Sequence, residues 1–218
     1  PIYVSIILTM ITLKCDIIII KHLLGEYSAG IYSASSKIIE SFYFIPVAFS
    51  TTVFPLMVNY FRSDNIKYLP VMYSVVVSMA MLIIFLLFLS KQVIIKLLGT
   101  NYLNVSELLS LHSLSLIFIF AYSLRKKVVI ANGNYLDYLK YTLYTCLTML
   151  LFIYIFTIQY GIEGSAIGFL LAWFFSLCIL PFMIGKSSDS ILFLQSFLFI
   201  KHFKYLISKK NNYGNTKR

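Results

Sequence analysis

The chain has 218 residues, of which 60% are hydrophobic and only 12% are charged, and its mean hydropathy is +0.86. A soluble domain carries about 25% charged residues, so this chain has more apolar surface than a core of its size can hide. The composition therefore excludes an ordinary soluble domain and indicates that much of the surface faces lipid.

Six apolar stretches follow one another along the chain. A helix needs roughly 20 apolar residues to cross a hydrocarbon core of about 30 Å, and each stretch reaches or nearly reaches this length. The apolar runs are continuous rather than alternating, which argues against the strands of a membrane barrel. We predict an all-α integral membrane protein in which residues 1–187 form a six-transmembrane-helix bundle. The predicted spans are residues 2–24, 29–60, 71–89, 108–124, 141–158 and 164–184.

The second predicted span is longer than a membrane is thick. As an ideal helix it would extend roughly 48 Å at about 1.5 Å per residue. Pro46 and Pro55 both lie within it, and a proline ring removes a backbone donor from a helix. We therefore expect a kink near Pro46 that shortens the reach of this span.

The basic residues are divided unevenly between the two sides that six spans would create. Of the 18 Lys and Arg residues, thirteen, Arg125 included, fall in alternate loops and the C-terminal tail. The opposite side holds only Lys21, Lys91 and Lys96. By the positive-inside rule, the rich side faces the cytoplasm, so both ends of this chain are expected there. The net charge of +10 thus reflects topology, and no nucleic-acid partner is expected.

The chain changes character beyond the sixth span. Residues 188–210 combine a short apolar run with lysines interleaved among aromatic residues, a pattern typical of an interfacial amphipathic helix on the cytoplasmic leaflet. Residues 211–218 are predicted to be a disordered basic tail. At the other end, the chain begins with Pro1 and without the features of a signal peptide, so we expect it to be truncated at its start.

Four charged residues fall inside the first two predicted spans: Lys14, Asp16, Lys37 and Glu40. A charge in the bilayer costs roughly 2.5–3.5 kcal/mol on insertion scales, so such residues usually face a bundle interior or a watery cavity. Counted from a turn near Glu26, the depth of Asp16 matches that of Lys37, and Lys14 matches Glu40. We expect one of these two cross-helix ion pairs to form, unless Lys37 and Glu40 pair with each other along their own helix.

The charge cluster has two possible roles. Lysines in a cavity would bind an anionic group such as a phosphate or pyrophosphate, and Glu40 or Asp16 could titrate and couple transport to an ion gradient. The cluster could instead be a buried ion pair that fixes helix register. Enzyme motifs are absent, the histidines are dispersed, and the cysteines lack CxxC spacing, so we expect no enzyme activity, catalytic residue, metal or cofactor.

Three segments carry a resemblance to a known family: residues 15–57, residues 93–109, which contain Gly99 and Tyr102, and residues 160–168. They resemble the O-antigen flippases of the Wzx type, which belong to the polysaccharide transporter family of the multidrug/oligosaccharidyl-lipid/polysaccharide exporter superfamily. The segment at 93–109 looks like the LLFGxxYxxS element of that family, and residues 160–168 are similar to its late YGIxGAA motif. Close helix packing is the expected role of the glycines in the late motif. In residues 15–57 the matching positions are Asp16, Gly25, Gly30, Tyr32, Ala34, Lys37, Glu40, Pro46 and Pro55.

The resemblance implies a fold and a function. It implies that this chain is the C-terminal half, and hence the second lobe, of a twelve-helix transporter in the bacterial inner membrane. Such transporters move undecaprenyl-pyrophosphate-linked oligosaccharides across that membrane by alternating access, so the implied partners are the lipid-linked oligosaccharide, the bilayer and the missing N-terminal half. The alternatives are a lipid II flippase or a multidrug exporter of the same superfamily, and a membrane polymerase or acyltransferase ranks below them.

Overall fold

The computed structural model describes residues 1–62, 68–98, 105–184 and 193–194. All regular structure in these ranges is helical. Four stretches are long and apolar enough to cross a membrane: Ile2–Thr52, Leu69–Val93, Val105–Ala131 and Tyr135–Met183. The elements are α1 (Ile2–Thr12), α2 (Cys15–Glu40), α3 (Phe44–Thr52), α4 (Phe54–Arg62), α5 (Leu69–Leu98), α6 (Val105–Ala131), α7 (Tyr135–Phe174), a π-helix (Phe175–Ile179) and α8 (Leu180–Met183).

The first long stretch turns back on itself at Gly25. This residue interrupts α2 with φ 84° and ψ 178°, a conformation that essentially only glycine adopts. Lys14 and Glu40 lie on either side of it and form an ion pair, with 2.9 Å between Nζ and Oε2. A straight helix would hold these two residues roughly 39 Å apart. Residues 2–52 therefore form a helical hairpin, called here the first hairpin.

The last long stretch turns back in the same way at Gly161, where φ is 64° and ψ is −142°. The two arms of this second hairpin pack backbone to backbone. A Cβ atom on Gly168 would lie 2.7 Å from the carbonyl oxygen of Phe152, and one on Gly164 would overlap the carbonyl of Phe156. The predicted close packing at Gly164 and Gly168 is therefore confirmed, because no larger residue fits between these arms.

Both arms of the first hairpin are interrupted. The first arm breaks at residues 13–14, between α1 and α2, and the second arm breaks at residues 41–43, between α2 and α3. In the second break, the amides of Phe42 and Tyr43 donate to carbonyls three residues earlier, as in a 3₁₀ turn. The break ends just before Pro46, which has no amide hydrogen to continue the ladder. The predicted kink near Pro46 is thus present and lies on the N-terminal side of the proline.

Helix α6 occupies the centre of the bundle. It packs against α2, α3, α4, α5 and α7, while α1 packs against α7. Its buried side chains run along most of its length, and the largest apolar cluster joins them to α5 and to both arms of the second hairpin. Large apolar side chains on the outer faces of α1, α5 and α7 are exposed, as expected for surfaces that face lipid.

The bounds of α6 correct one sequence-based assignment. Arg125 was predicted to flank a loop after a span ending at residue 124, but α6 continues to Ala131 and the Arg125 side chain is only 2% exposed. The charge faces the bundle interior because carbonyl groups of the last helix accept its hydrogen bonds.

Several predicted features lie outside the described residues. This group contains Gly99 and Tyr102 of the element at 93–109, the basic tail at 211–218 and all but two residues of the segment 188–210. Within that segment, Phe193 and Leu194 are described. Phe193 is buried and packs beside Phe118 of α6.

Candidate functional site

The Lys14–Glu40 ion pair is the centre of the candidate site. The Lys14 ammonium donates to both carboxylate oxygens of Glu40, at 3.0 and 2.9 Å. Both side chains are partly exposed, with exposed fractions of 55% for Lys14 and 27% for Glu40. Of the two cross-helix pairs that the spacing allowed, this one is therefore confirmed.

This ion pair joins the two interruptions of the first hairpin. Lys14 is the residue that precedes α2, and Glu40 is the last residue of α2 before the 41–43 break. Both lie far from the turn at Gly25. Lys14 is 11 residues from it, or roughly 16 Å along a helix, which is about half the thickness of the hydrocarbon core. Broken helices at this depth expose backbone polar groups and are typical of transporter binding sites.

Lys37 lies on the same helix as Glu40 but points away from the bundle. Its side chain is exposed, and within the described part of the chain its ammonium forms no ion pair. The predicted alternatives for Lys37 are therefore both wrong: it pairs neither with Asp16 nor with Glu40. Asp16 is buried on the bundle side of the first arm, so the two side chains face opposite ways despite their matched depth.

Asp16 is a buried carboxylate, 2% exposed, at the N-terminal end of α2. The break at residues 13–14 creates this helix end in the middle of the first arm. The Ile17 amide donates to Asp16 Oδ1 at 2.8 Å, and the positive end of the helix dipole further stabilises a negative charge there. The Tyr32 hydroxyl faces the carboxylate without making a standard hydrogen bond. The surroundings thus compensate part of the cost of burying Asp16.

A polar network beneath the ion pair was not predicted. Ser35 Oγ lies 2.8 Å from His112 Nδ1, and the His112 ring packs edge-on against Tyr32 at 4.7 Å and against Phe169 at 5.3 Å. This contact ties α2 to α6 and α7. In the sequence, His112 is the one residue of the predicted span 108–124 that could carry a positive charge, and this does not reveal its partner.

A small cavity lies between these groups. Its volume is about 10 Å³, far below the roughly 300–1,000 Å³ of typical ligand pockets, so it has room for about one ordered water and not for a ligand. Three buried polar atoms near it have no hydrogen-bond partner in the described ranges: Tyr32 Oη, Ser36 Oγ and His112 Nε2. Among the described residues, no three His, Cys, Asp or Glu side chains are grouped to hold a metal ion. The lining residues are Leu13, Asp16, Ser36, Ile39, Glu40, Tyr43, His112 and Phe169.

Comparison of the chain with models of protein families, with curated proteins and with solved structures finds no match in any of the three. The function is therefore inferred below from the residues of this chain and their arrangement.

Proposed function

We propose that this chain is the second six-helix lobe of a flippase that moves undecaprenyl-pyrophosphate-linked oligosaccharides across the bacterial inner membrane. The observation that carries the proposal is the site at the two helix breaks. There the ion pair Lys14–Glu40 and a second cation, Lys37, which has no ion-pair partner among the described residues, lie on an exposed face near mid-membrane depth. Such a face suits an anionic substrate that enters a watery cavity from the lipid.

The count of six passes rests on the two hairpins. The stretch Ile2–Thr52 has 51 residues and Tyr135–Met183 has 49, and either would extend more than 70 Å as one straight helix, at about 1.5 Å per residue. The reversals at Gly25 and Gly161 divide each stretch into two arms of membrane-spanning length. With α5 and α6, the chain then crosses six times and both ends lie on one side.

The exposed face of the second arm identifies the surface that would line the cavity. Lys37, Ser41, Thr51 and Thr52 are all exposed in this arm, among small and apolar neighbours. The Ser41 and Thr52 hydroxyls donate to carbonyls of their own helix. The Lys37 ammonium is a charge at membrane depth and is unfavourable against lipid, so another protein surface or water must cover it. In the proposed transporter, the first lobe and the water between the lobes provide this cover.

The charges of the face favour an anionic guest. Glu40 neutralises Lys14, which leaves Lys37 as the net positive charge of the exposed group. A pyrophosphate that leaves the headgroup region would gain charge-assisted hydrogen bonds from such an ammonium. The pyrophosphate would also compete with Glu40 for Lys14, because an ion pair between partly exposed side chains is weak. Glu40, released from Lys14, and the buried Asp16 would then supply groups that can couple to an ion gradient.

Complementation tests this proposal. The complete gene that encodes this chain would be expressed in a bacterial host that lacks its own O-antigen flippase and carries the matching repeat-unit genes. We expect surface polysaccharide to be restored. Cytoplasmic accumulation of lipid-linked repeat units, measured in the same cells, should fall in parallel.

Two results would favour a different substrate. If surface polysaccharide is absent while the protein is present in the membrane, the polysaccharide flippase function is wrong. Restored peptidoglycan synthesis in cells depleted of their lipid II flippase would then identify the alternative substrate within the same superfamily. The rival roles are thus separated by which lipid-linked saccharide reaches the outer leaflet.

A further inference from the structure

Arg125 is the largest side chain that the described bundle buries completely, and it carries a charge. Its guanidinium lies 4.0 Å from the centre of the Tyr141 ring in the first arm of the second hairpin. Nη1 also donates to the carbonyl oxygens of Ser176 and Leu177, at 3.2 and 3.3 Å. One side chain of α6 thus connects both arms of the second hairpin.

Of the two carbonyls that Arg125 contacts, that of Ser176 lacks an amide donor from its own helix. The Leu180 amide donates to Phe175 in the π-helical register, so it is not available to Ser176, its partner in an α-helix. The next amide position, which a π-helix would use for Ser176 and an α-helix for Leu177, is Pro181, which has no hydrogen. In the observed register, Arg125 therefore supplies to Ser176 the donor that Pro181 lacks.

A donor from another helix makes the register of this segment dependent on tertiary contacts. If Arg125 withdraws, the Leu180 amide can return to the Ser176 carbonyl, and the segment becomes an α-helix with an ordinary proline kink. Removing one π-helical insertion turns the helix beyond it by about 100° and shifts it by about 1.5 Å. The hydrogen bonds at 3.2 and 3.3 Å are at the long end of the usual range, and the buried guanidinium must find other acceptors or water when they open.

We propose that Arg125 is the latch of a register switch in the last helix. While its guanidinium holds the Ser176 and Leu177 carbonyls, residues 175–179 stay π-helical. When α6 moves against the second hairpin, the latch opens, the segment becomes α-helical, and α8 rotates. The switch translates a sliding motion of the central helix into a rotation at the end of the bundle. It depends on the geometry of these residues and not on which substrate is carried.

The switch can be followed by spin-label distances in the full-length protein. Labels would be placed at Met183→Cys, and at Leu89→Cys on α5 or Tyr3→Cys on α1, in a background without the native cysteines. These three positions are well exposed. A side chain lies about 5 Å from its helix axis, so a turn of about 100° moves it by roughly 8 Å. In Arg125→Met, the distance from Met183→Cys to at least one reference position should change by several ångströms.

Pro181→Ala distinguishes a latch from a packing residue, because it restores the missing amide. Alanine is also the better helix former, so the effect of Pro181→Ala is compared between backgrounds. We expect Arg125→Met to lower the melting temperature in detergent, and Pro181→Ala to raise the melting temperature of Arg125→Met by more than that of wild type. Lys126→Met is the matched control: it removes the neighbouring cation of α6, which lies over the Tyr122 ring at 5.5 Å. In Lys126→Met, Pro181→Ala should change the melting temperature only as much as it does in wild type.

The outcomes are decisive even where a variant accumulates poorly. If Arg125→Met alone does not fold, recovery of folded protein in the double variant supports the latch. A gain from Pro181→Ala that is no larger in Arg125→Met than in wild type, by melting temperature or by folded yield, overturns it. Unchanged label distances in a folded Arg125→Met protein overturn it as well.

Discussion

At the scale of single residues, the charge cluster separates into side chains with different surroundings. Lys14 and Glu40 form a partly exposed ion pair, Asp16 is buried, and Lys37 is exposed and unpaired in the described part of the chain. Depth was predictable because the rise per residue of a helix is constant. The directions of Asp16 and Lys37 were not, because they depend on how the two arms pack against α6 and α7.

Charge exchange at the ion pair gives a prediction at this scale. Glu40→Lys places three cations close together on one face, so we expect a clear loss of folded protein in detergent extracts. Adding Lys14→Glu restores an opposite-charge pair and should recover most of the loss. Fluorescence-detected size-exclusion chromatography measures the folded fraction.

The ion pair of Lys21 with Glu26 is the matched control for that exchange. Its Nζ–Oε1 distance is also 2.9 Å, but both side chains are largely exposed at the turn, with exposed fractions of 60% and 83%. Exposed ion pairs contribute about 0–1 kcal/mol, so Glu26→Lys should change little. Equal losses at the two pairs would show that the position of Glu40 has no special importance.

At the scale of elements, the glycines of the two hairpins have different roles. Gly164 and Gly168 let two arms approach, whereas Gly30 lies in an open region of α2 where an added Cβ meets nothing within 4 Å. The small-residue spacing predicted the close approach of the arms. It could not predict the π-helix at residues 175–179, because its register is set by Arg125 from a distant helix.

The glycines give a prediction at the element scale. Gly168→Val should destabilise the bundle by about 1–3 kcal/mol, the usual range for overpacking, because the added atoms meet the backbone of the opposite arm. Gly30→Ala should leave stability unchanged or slightly raised, since alanine is the better helix former. Thermal unfolding in detergent measures both, and a melting temperature equal to wild type in Gly168→Val would contradict the packing described here.

At the scale of the whole molecule, the sequence predicted an all-helical membrane protein, and the structure confirms this. Composition and run length were enough for that conclusion, because lipid requires continuous apolar helices. The network of Ser35 and His112 and the burial of Arg125 were missed, because contacts between distant helices leave no local pattern in the sequence.

Six passes predict a pattern of cysteine labelling in intact cells. In a background without native cysteines, an impermeant thiol reagent should label Tyr27→Cys and Tyr160→Cys, which lie beside the two hairpin turns and are exposed. It should label Asn132→Cys, in the turn between α6 and α7, only after the cells are permeabilised. Labelling of Asn132→Cys in intact cells, or labelling of Tyr27→Cys only after permeabilisation, would contradict the proposed topology.

The most direct test of the central claim replaces Lys37 in the flippase-deficient host. Surface polysaccharide would be measured for the complete protein, for Lys37→Ala and for Lys21→Ala at matched membrane levels. Because Lys37 supplies the unpaired charge of the proposed cavity, we expect a loss of about tenfold or more in Lys37→Ala, equivalent to about 1.4 kcal/mol of binding. Lys21→Ala, at the turn, should remain close to wild type. Surface polysaccharide equal to wild type in Lys37→Ala would contradict a role for this charge in transport.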